Sequence, residues 1–155
     1  MKIKPISILF PLGVLAVAIT GNLLTLPGMG WYHSTLVLPT KLTPPDWAFS
    51  VAWTTIFIAA AISGTLVWNK SKKPGLVLGV FALNGVLNVL WSALFFAQHA
   101  LPAALIEMLF LEASLIGLHL LTWKISKWAS ALLLPYTLWV AYATLLTYNI
   151  VLLNS

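Results

Sequence analysis

Two asparagines in the stretch ALNGVLNVLWSALFFAQ could bind a ligand through their side-chain amides. Asn84 and Asn88 are four residues apart, and Trp91, Ser92 and Phe95 continue the same side of a helix. An amide in hydrocarbon is costly unless it is hydrogen-bonded, so both should face the interior of a helix bundle. The stripe is interpreted either as hydrogen bonds that join helices or as a wall of a ligand pocket. The residues alone somewhat favour the first interpretation.

Three ionisable residues follow in the next apolar run. Glu112 and His119 are seven residues apart and share a helix face, whereas Glu107 points about 140° away from Glu112. Ionisable groups in a membrane span are functional candidates, so a proton relay or a transport carboxylate is one interpretation. A carboxyl that fixes helix packing is the other, and it is at least as well supported. The histidines at 33, 99 and 119 have no ligand spacing, so no metal site is predicted.

Aromatic residues recur near the end of the chain and before the second apolar run. Tyr136, Trp139 and Ala143 fall on one face of a helix. Such a stripe is usually packing, but with Trp47 and Trp53 it would give the bundle an unusually aromatic interior. Walls of this kind bind flat conjugated ligands by stacking. The sequence contains no glycine-rich phosphate loop, serine triad motif or paired-carboxylate signature.

Membrane-spanning helices must position these residues. Of the 155 residues only 7% are charged, whereas a soluble domain has about 25%. Five apolar runs have the roughly 20 residues that a spanning helix needs: Ile6–Leu26, Trp47–Trp68, Gly75–Ala97, Pro102–Trp123 and Ala129–Leu153. They lack the period-two alternation of barrel strands. We therefore predict an all-α polytopic membrane protein, with residues 1–155 forming one domain built as a five-helix bundle.

The lysines predict how the chain crosses the membrane. If five helices cross in turn, seven lysines share one side and Lys41 lies alone on the other; the seven are Lys2, Lys4, Lys70, Lys72, Lys73, Lys124 and Lys127. This bias places the N-terminus in the cytoplasm. A cleaved signal peptide ending near Ala16-Val17-Ala18 is the alternative, but the apolar run continues to Leu26 and favours a retained helix. No basic stripe exists that would bind nucleic acid.

Two further segments suggest contacts outside the helices. The loop 31–46 is aromatic and proline-rich; its prolines limit its flexibility, and Asp46 can cap the second helix. We predict that this loop covers the mouth of a ligand pocket. Gly75 and Gly79 lie about half a rotation away from Asn88. This small-residue face would pack closely on another helix, of the same chain or of a second copy.

Several stretches together resemble one known family. They are Trp31-Tyr32 with Pro39, Pro44-Pro45-x-Trp47 with Trp53, LNVLWSALFF at 87–96, and PYTLWVAYATLLTYN at 135–149. The sequence resembles the TspO/MBR family, also called translocator proteins, tryptophan-rich sensory proteins or peripheral-type benzodiazepine receptors. The resemblance runs from the first loop to the end of the chain, and the family's five spans agree with the number predicted here.

The resemblance implies a homodimeric five-helix bundle in a membrane, here a bacterial cell membrane. It implies binding of porphyrin, haem-like tetrapyrroles, sterols and isoquinoline carboxamides, with no required cofactor. Its pocket positions fall on Trp53, Asn88, Trp91, Trp139 and Ala143, and its acid in the fourth helix matches Glu107. With the neighbouring polar and loop residues, the expected ligand-binding set is Trp31, Trp47, Trp53, Asn84, Asn88, Trp91, Glu107, Trp139 and Ala143. The family's dimer contact would fit Gly75 and Gly79.

Several functions are therefore weighed. The first is a membrane sensor or transporter for tetrapyrroles, with its pocket under loop 31–46. The alternatives are light-dependent porphyrin degradation at Trp53 and Trp139, and a structural or partner-binding protein with a filled interior; proton-driven transport at Glu107 or Glu112 is weaker, since no repeat is evident.

The sequence also departs from the family pattern. The loop is about three residues longer than usual, and Lys41 and Leu42 stand near where the family has a tryptophan. No basic residue follows Lys127, so the cholesterol-recognition pattern is absent.

Overall fold

The computed structural model describes residues 8–155, which form five long apolar helical spans. The spans are Leu9–Ser34, Asp46–Lys70, Pro74–Ala97, Leu101–Ile125 and Lys127–Asn154, hereafter the first to fifth spans. The shortest has 24 residues, about 36 Å of helix, and exceeds the roughly 30 Å hydrocarbon layer. No strand occurs in residues 8–155. The all-α, five-span prediction is confirmed; Lys2 and Lys4 lie outside the described residues.

Three of the spans are not one continuous α-helix. The first is an α-helix over Leu9–Thr25, a 3₁₀ turn over Leu26–Gly28 and a short helix over Met29–Ser34. The third is an α-helix over Pro74–Ser92 that ends in a π-helical turn, Ala93–Ala97. The fifth consists of Lys127–Ala131 followed by Leu134–Asn154. A proline opens the 3₁₀ turn and another lies in the first turn of Leu134–Asn154, where a missing N–H is tolerated.

The spans form a closed ring. The first contacts the second and third, the third contacts the fourth, the fourth contacts the fifth, and the fifth contacts the second. Phe10 is the one buried residue of Leu9–Thr25, whereas the fourth span buries residues along its whole length. The first span is therefore a loosely packed outer wall, and the other four spans form the main core.

The connection between the first two spans differs from the prediction in two respects. Trp31–Ser34 are helical, so the loop covers residues 35–45 and not 31–46. The chain stays helical because the 3₁₀ turn carries the hydrogen bonding past Pro27. Asp46 does not cap the second span; Pro45 occupies that position in extended conformation, and the Asp46 carboxylate lies 3.3 Å from His33 Nε2. Pro74 and Pro102 lie in the first turns of the third and fourth spans, where a missing N–H is tolerated.

The first and third spans approach each other closely at Gly28. A Cβ at this glycine would lie 2.4 Å from the carbonyl oxygen of Phe96 and 2.8 Å from its Cβ. Gly30, in the next turn of the same span, has nothing within 4 Å of an added Cβ. A glycine at position 28 is therefore required for this contact with the π-helical turn.

We predict that Gly28→Ala destabilises the protein by about 1–3 kcal/mol, because backbone atoms of the third span must move to admit the methyl group. The measurement is thermal unfolding in detergent micelles. Gly30→Ala is the matched control and should keep or slightly raise the melting temperature, since alanine favours helix. Equal melting temperatures for Gly28→Ala and the wild type would contradict the packing described.

Candidate functional site

One cavity of the bundle, hereafter the first cavity, has a volume of about 400 Å³ and is lined by Tyr32 and Asp46, which lie near the two ends of loop 35–45. Side chains of the first, second, third and fifth spans surround it. From the first two spans its lining includes Ala18, Gly21, Asn22, Thr25, Leu26, Met29, Tyr32, Asp46, Phe49, Ser50, Trp53, Thr54 and Phe57. From the third and fifth it includes Asn88, Trp91, Ser92, Phe95, Phe96, Ala143, Leu146, Thr147 and Ile150. The volume lies in the range of about 300–1,000 Å³ typical of small-molecule sites.

Aromatic rings form one continuous wall of this cavity. Trp53 stacks on Phe57 with ring centroids 5.5 Å apart and lies 6.4 Å from Trp91. Trp91 in turn lies 5.5 Å from Phe95 and 5.8 Å from Phe96. Offset and edge contacts at these distances are the favoured arrangements of aromatic rings. The wall joins the second span to the third and offers extended aromatic surface to a guest.

The π-helical turn of the third span carries part of this wall. The Gln98 N–H donates to the Ala93 carbonyl oxygen, five residues earlier, at 2.9 Å. Phe95 and Phe96 both lie within this turn, are buried and line the cavity. Single π-helical turns occur frequently at functional sites. Sequence periodicity did not reveal this turn, because residues 93–97 are all apolar and carry no periodic pattern.

The two asparagines of the third span make hydrogen bonds between spans. Asn88 Nδ2 donates to the Tyr136 hydroxyl oxygen at 2.9 Å, and Asn84 Nδ2 donates to Ser114 Oγ at 2.8 Å. Asn88 also lines the first cavity, whereas Asn84 does not. Asn88 therefore both joins two spans by a hydrogen bond and lines a cavity, so the two interpretations of the asparagine stripe are compatible at this residue. At Asn84 the geometry is that of a contact between the third and fourth spans.

Two buried polar atoms on residues of the cavity have no hydrogen-bond partner within residues 8–155. They are the Tyr32 hydroxyl oxygen and the indole nitrogen Nε1 of Trp91. A buried donor without a partner costs about 1–3 kcal/mol. A guest would recover that cost only where a shift of the Tyr32 or Trp91 ring brings the donor to an acceptor atom in the cavity.

Four of the nine residues expected to bind ligand lie on the first cavity: Trp53, Asn88, Trp91 and Ala143. The structure places the remaining five elsewhere. Trp47 is 68% exposed, Trp139 packs edge-on against Phe49 with centroids 5.7 Å apart, and Trp31 stacks on His99 at 3.9 Å.

Glu107 is buried in the fourth span, and its carboxyl oxygens have no partner among the described residues. His119 is held between spans, with Nδ1 2.9 Å from Ser130 Oγ and Nε2 2.9 Å from Thr137 Oγ1. Its two contacts indicate a packing role. Within residues 8–155 no three His, Cys, Asp or Glu residues are grouped to hold a metal ion.

The first span contributes cavity residues that sequence reasoning missed. Ala18, Gly21, Asn22 and Thr25 all line the cavity, although none was expected there. Their small size leaves the space that larger side chains would fill. The polar residues Asn22 and Thr25 inside an apolar run could have indicated that this face of the first span lines a cavity.

Loop 35–45 is fastened to the fifth span. The Val37 N–H donates to Asn154 Oδ1 at 2.9 Å, and Asn154 Nδ2 donates to the Val37 carbonyl oxygen at 3.0 Å. The Tyr142 hydroxyl donates to the carbonyl oxygen of Leu42. The loop leucines pack against the hydrophobic cluster that contains Tyr32 and other cavity residues. The loop is therefore an ordered cover over one end of the bundle.

Comparison with known proteins gives one consistent result. A family model described as the TspO/MBR family matches residues 8–153. The tryptophan-rich protein TspO of Chlorobaculum tepidum is 38% identical over 146 residues, which cover 90% of this chain and 90% of that protein. The tryptophan-rich protein TspO of Archaeoglobus fulgidus is 33% identical over 145 residues, covering 93% and 94%. The human translocator protein is 29% identical over 125 residues, covering 78% and 73%.

We predict that the Asn88–Tyr136 hydrogen bond couples the third and fifth spans energetically. Asn88→Ala and Tyr136→Phe should each destabilise the protein, because each leaves a buried polar group with one partner fewer. The double variant should lose less than the sum of the two, with a coupling energy of about 1 kcal/mol in a double-mutant cycle of unfolding. Additive effects would contradict this role.

We also predict that Asn154→Leu loosens the loop, since leucine cannot bond to the Val37 backbone. Amide hydrogen exchange in residues 35–45 should become at least several-fold faster, while exchange in the fourth span should not change. Asn149→Leu is the matched control, because the Asn149 amide bonds only within its own helix, to the Leu145 carbonyl oxygen. Unaltered exchange in the loop of Asn154→Leu would show that it is held in another way.

Proposed function

Because this chain belongs to the TspO/MBR family of membrane proteins, we propose that it is a membrane sensor or transporter for tetrapyrroles. Porphyrin, haem and related flat hydrophobic molecules are the proposed ligands, and the first cavity is the proposed site. The observation that carries the proposal is the aromatic wall formed by Trp53, Phe57 and Trp91 beside a cavity of about 400 Å³.

The chemistry of the lining supports a flat guest with a few polar atoms. Stacking on Trp53 and Trp91 would supply most of the contact, since aromatic faces bind conjugated rings well. A small rotation of either ring would let the unpaired Trp91 Nε1 or Tyr32 hydroxyl bond to an acceptor atom of the guest. Asn88 is fixed by its bond to Tyr136 and so presents its amide in one orientation. These groups would orient the guest within an otherwise apolar space.

The seam between the first and second spans supports entry from the bilayer. Asn22, Ser50 and Thr54 line the cavity and are also exposed on the outside of the bundle. The first span is the least buried of the five. A hydrophobic ligand dissolved in the membrane would therefore reach the cavity sideways, while loop 35–45 covers the end of the bundle.

The alternative functions receive less support from the geometry. Light-dependent porphyrin degradation at Trp53 and Trp139 requires both indoles near the guest, and of the two only Trp53 lines the first cavity. A structural protein with a filled interior requires close packing around Asn88, where the first cavity lies.

A homodimer belongs to the proposal as well. Gly75 and Gly79 lie on an exposed face of the third span, and an added Cβ at either would meet nothing within 4 Å. Within the described part of the chain no other span uses this small-residue face, so it is free for a second copy.

We predict that Ala143→Phe weakens protoporphyrin binding at least tenfold, because the new ring would fill cavity space opposite Trp91. A tenfold change corresponds to about 1.4 kcal/mol. The measurement is quenching of tryptophan fluorescence during titration of the purified protein with protoporphyrin. Ala141→Phe is the matched control, since Ala141 is exposed on the same helix and lies off the cavity.

Both variants should still unfold in one cooperative thermal transition, which separates loss of the site from loss of the fold. Equal affinities for Ala143→Phe and Ala141→Phe would overturn the placement of the site. A wild-type protein whose fluorescence does not respond to protoporphyrin would overturn the proposed ligand class.

A further inference from the structure

A second cavity, of about 410 Å³, lies between the first and third spans in the other part of the bundle. It extends inward as far as Ala60 on the second span and Tyr136 on the fifth. Phe57 lines both cavities and is the one lining residue that they share. The second cavity is therefore separate from the proposed tetrapyrrole site, and the proposed function makes no use of it.

The second cavity is long and narrow. Its lining runs from Leu9 to Thr20 along the first span and from Leu78 to Val89 along the third. Eleven residues of helix correspond to a length of about 16 Å. About 410 Å³ spread over that length gives a mean cross-section of about 25 Å², far less than that of a helix, which is about 10–12 Å wide. A second copy of the chain could cover the opening but could not fill the interior.

The lining is almost entirely hydrocarbon and carries no charged residue. Its polar lining residues are Asn84, Tyr136 and the exposed Thr20. The two buried ones already have partners: Asn84 Nδ2 donates to Ser114, and the Tyr136 hydroxyl oxygen accepts from Asn88. A cavity whose buried polar groups are already paired favours an apolar guest over a polar one.

The cavity opens between the first and third spans, beside the face of Gly75 and Gly79 that is proposed for a second copy, and the exposed rim is almost entirely apolar. Leu9, Leu78 and Val86 belong to its lining and are exposed on the membrane-facing side of the bundle. From there the cavity reaches Ala60 and Tyr136, which are only 8% and 4% exposed. A molecule entering from the bilayer would lie parallel to the spans, in the direction of the surrounding lipid tails.

From this shape, lining and opening we propose that the second cavity binds one hydrocarbon chain of a bilayer lipid, inserted between the first and third spans. The inserted hydrocarbon chain would contact Phe10 and Phe81 on its sides and Phe57 at its inner end. An inserted hydrocarbon chain would supply the packing that the loosely held first span lacks. It would also contact the Phe57 side chain, which borders the first cavity as well.

Gly13 provides a direct test. It lines the second cavity, and an added Cβ at this position would meet nothing within 4 Å, so Gly13→Phe can place a ring in the cavity. Gly117 on the fourth span also has nothing within 4 Å and lines neither cavity, which makes Gly117→Phe the matched control.

The probe is palmitic acid carrying a diazirine at mid-chain, added to the purified protein in lipid nanodiscs, photolysed, and located by mass spectrometry of peptides. We expect the wild type and Gly117→Phe to carry adducts concentrated on the buried lining of the second cavity, Asn84 and Tyr136 included. In Gly13→Phe the yield of adducts on the second cavity should fall at least fivefold, while the yield on lipid-facing residues elsewhere should not change.

Adducts spread evenly over the exposed faces of all five spans, or equal labelling of the cavity in the wild type and Gly13→Phe, would overturn the proposal. So would crosslinks that join two copies of the chain through this cavity. If Gly13→Phe does not fold, Ala16→Leu narrows the same cavity more mildly. Its adducts on the cavity lining should likewise decrease relative to the wild type, and unchanged labelling would overturn the proposal. No porphyrin is used, so the outcome does not depend on the proposed function.

Discussion

The hydrogen bond between Asn88 and Tyr136 is the contact on which the arrangement of the bundle depends most. In the bilayer core no water can satisfy an amide, so a buried amide is costly unless it has a partner on a neighbouring span. Asn88 fixes the third span against the fifth, Asn84 fixes it against the fourth, and His119 joins the fourth to the fifth. These pairs determine the rotation of three spans about their axes. The rotation in turn decides which side chains face the interior.

The first span is packed much more loosely than the third, fourth and fifth spans, which these hydrogen bonds join. Its main helix buries only Phe10, and its small residues line both cavities. Because the first span has small side chains and few buried contacts, it leaves space between itself and its neighbours. The hydrogen bonds among the other spans hold those spans in place around that space. The two cavities are therefore consequences of the same asymmetry, and Phe57 stands between them. The aromatic wall around Trp53 and Trp91 belongs to the firmly packed side, so its geometry can be specific.

Much of this could be predicted from the sequence, and the reasons are physical. Apolar length defines a span in a bilayer almost without other information, so all five spans were found. Spacing within one helix correctly put Asn88 and Trp91 on the same side, because that depends only on helix geometry. Trp139 shows the limit of such reasoning. Spacing put Trp139 on the expected pocket face, but its ring packs against Phe49 of the second span, and of the two only Phe49 lines the first cavity. Spacing cannot reveal a residue contributed by another span. The continued helix at Trp31 and the π-helical turn were also missed, since both depend on local backbone hydrogen bonding that apolar composition does not encode.

The central claim is that the space beside Asn88 receives a planar ligand between the aromatic wall and the fifth span. The most direct measurement is an experimental structure of the protein with protoporphyrin bound in lipid. The account predicts density for the ring system in contact with Trp53, Trp91 and Ala143, with loop 35–45 covering it. Density on the outer surface at Trp123 or Trp128, with the space beside Asn88 filled by protein side chains, would contradict it.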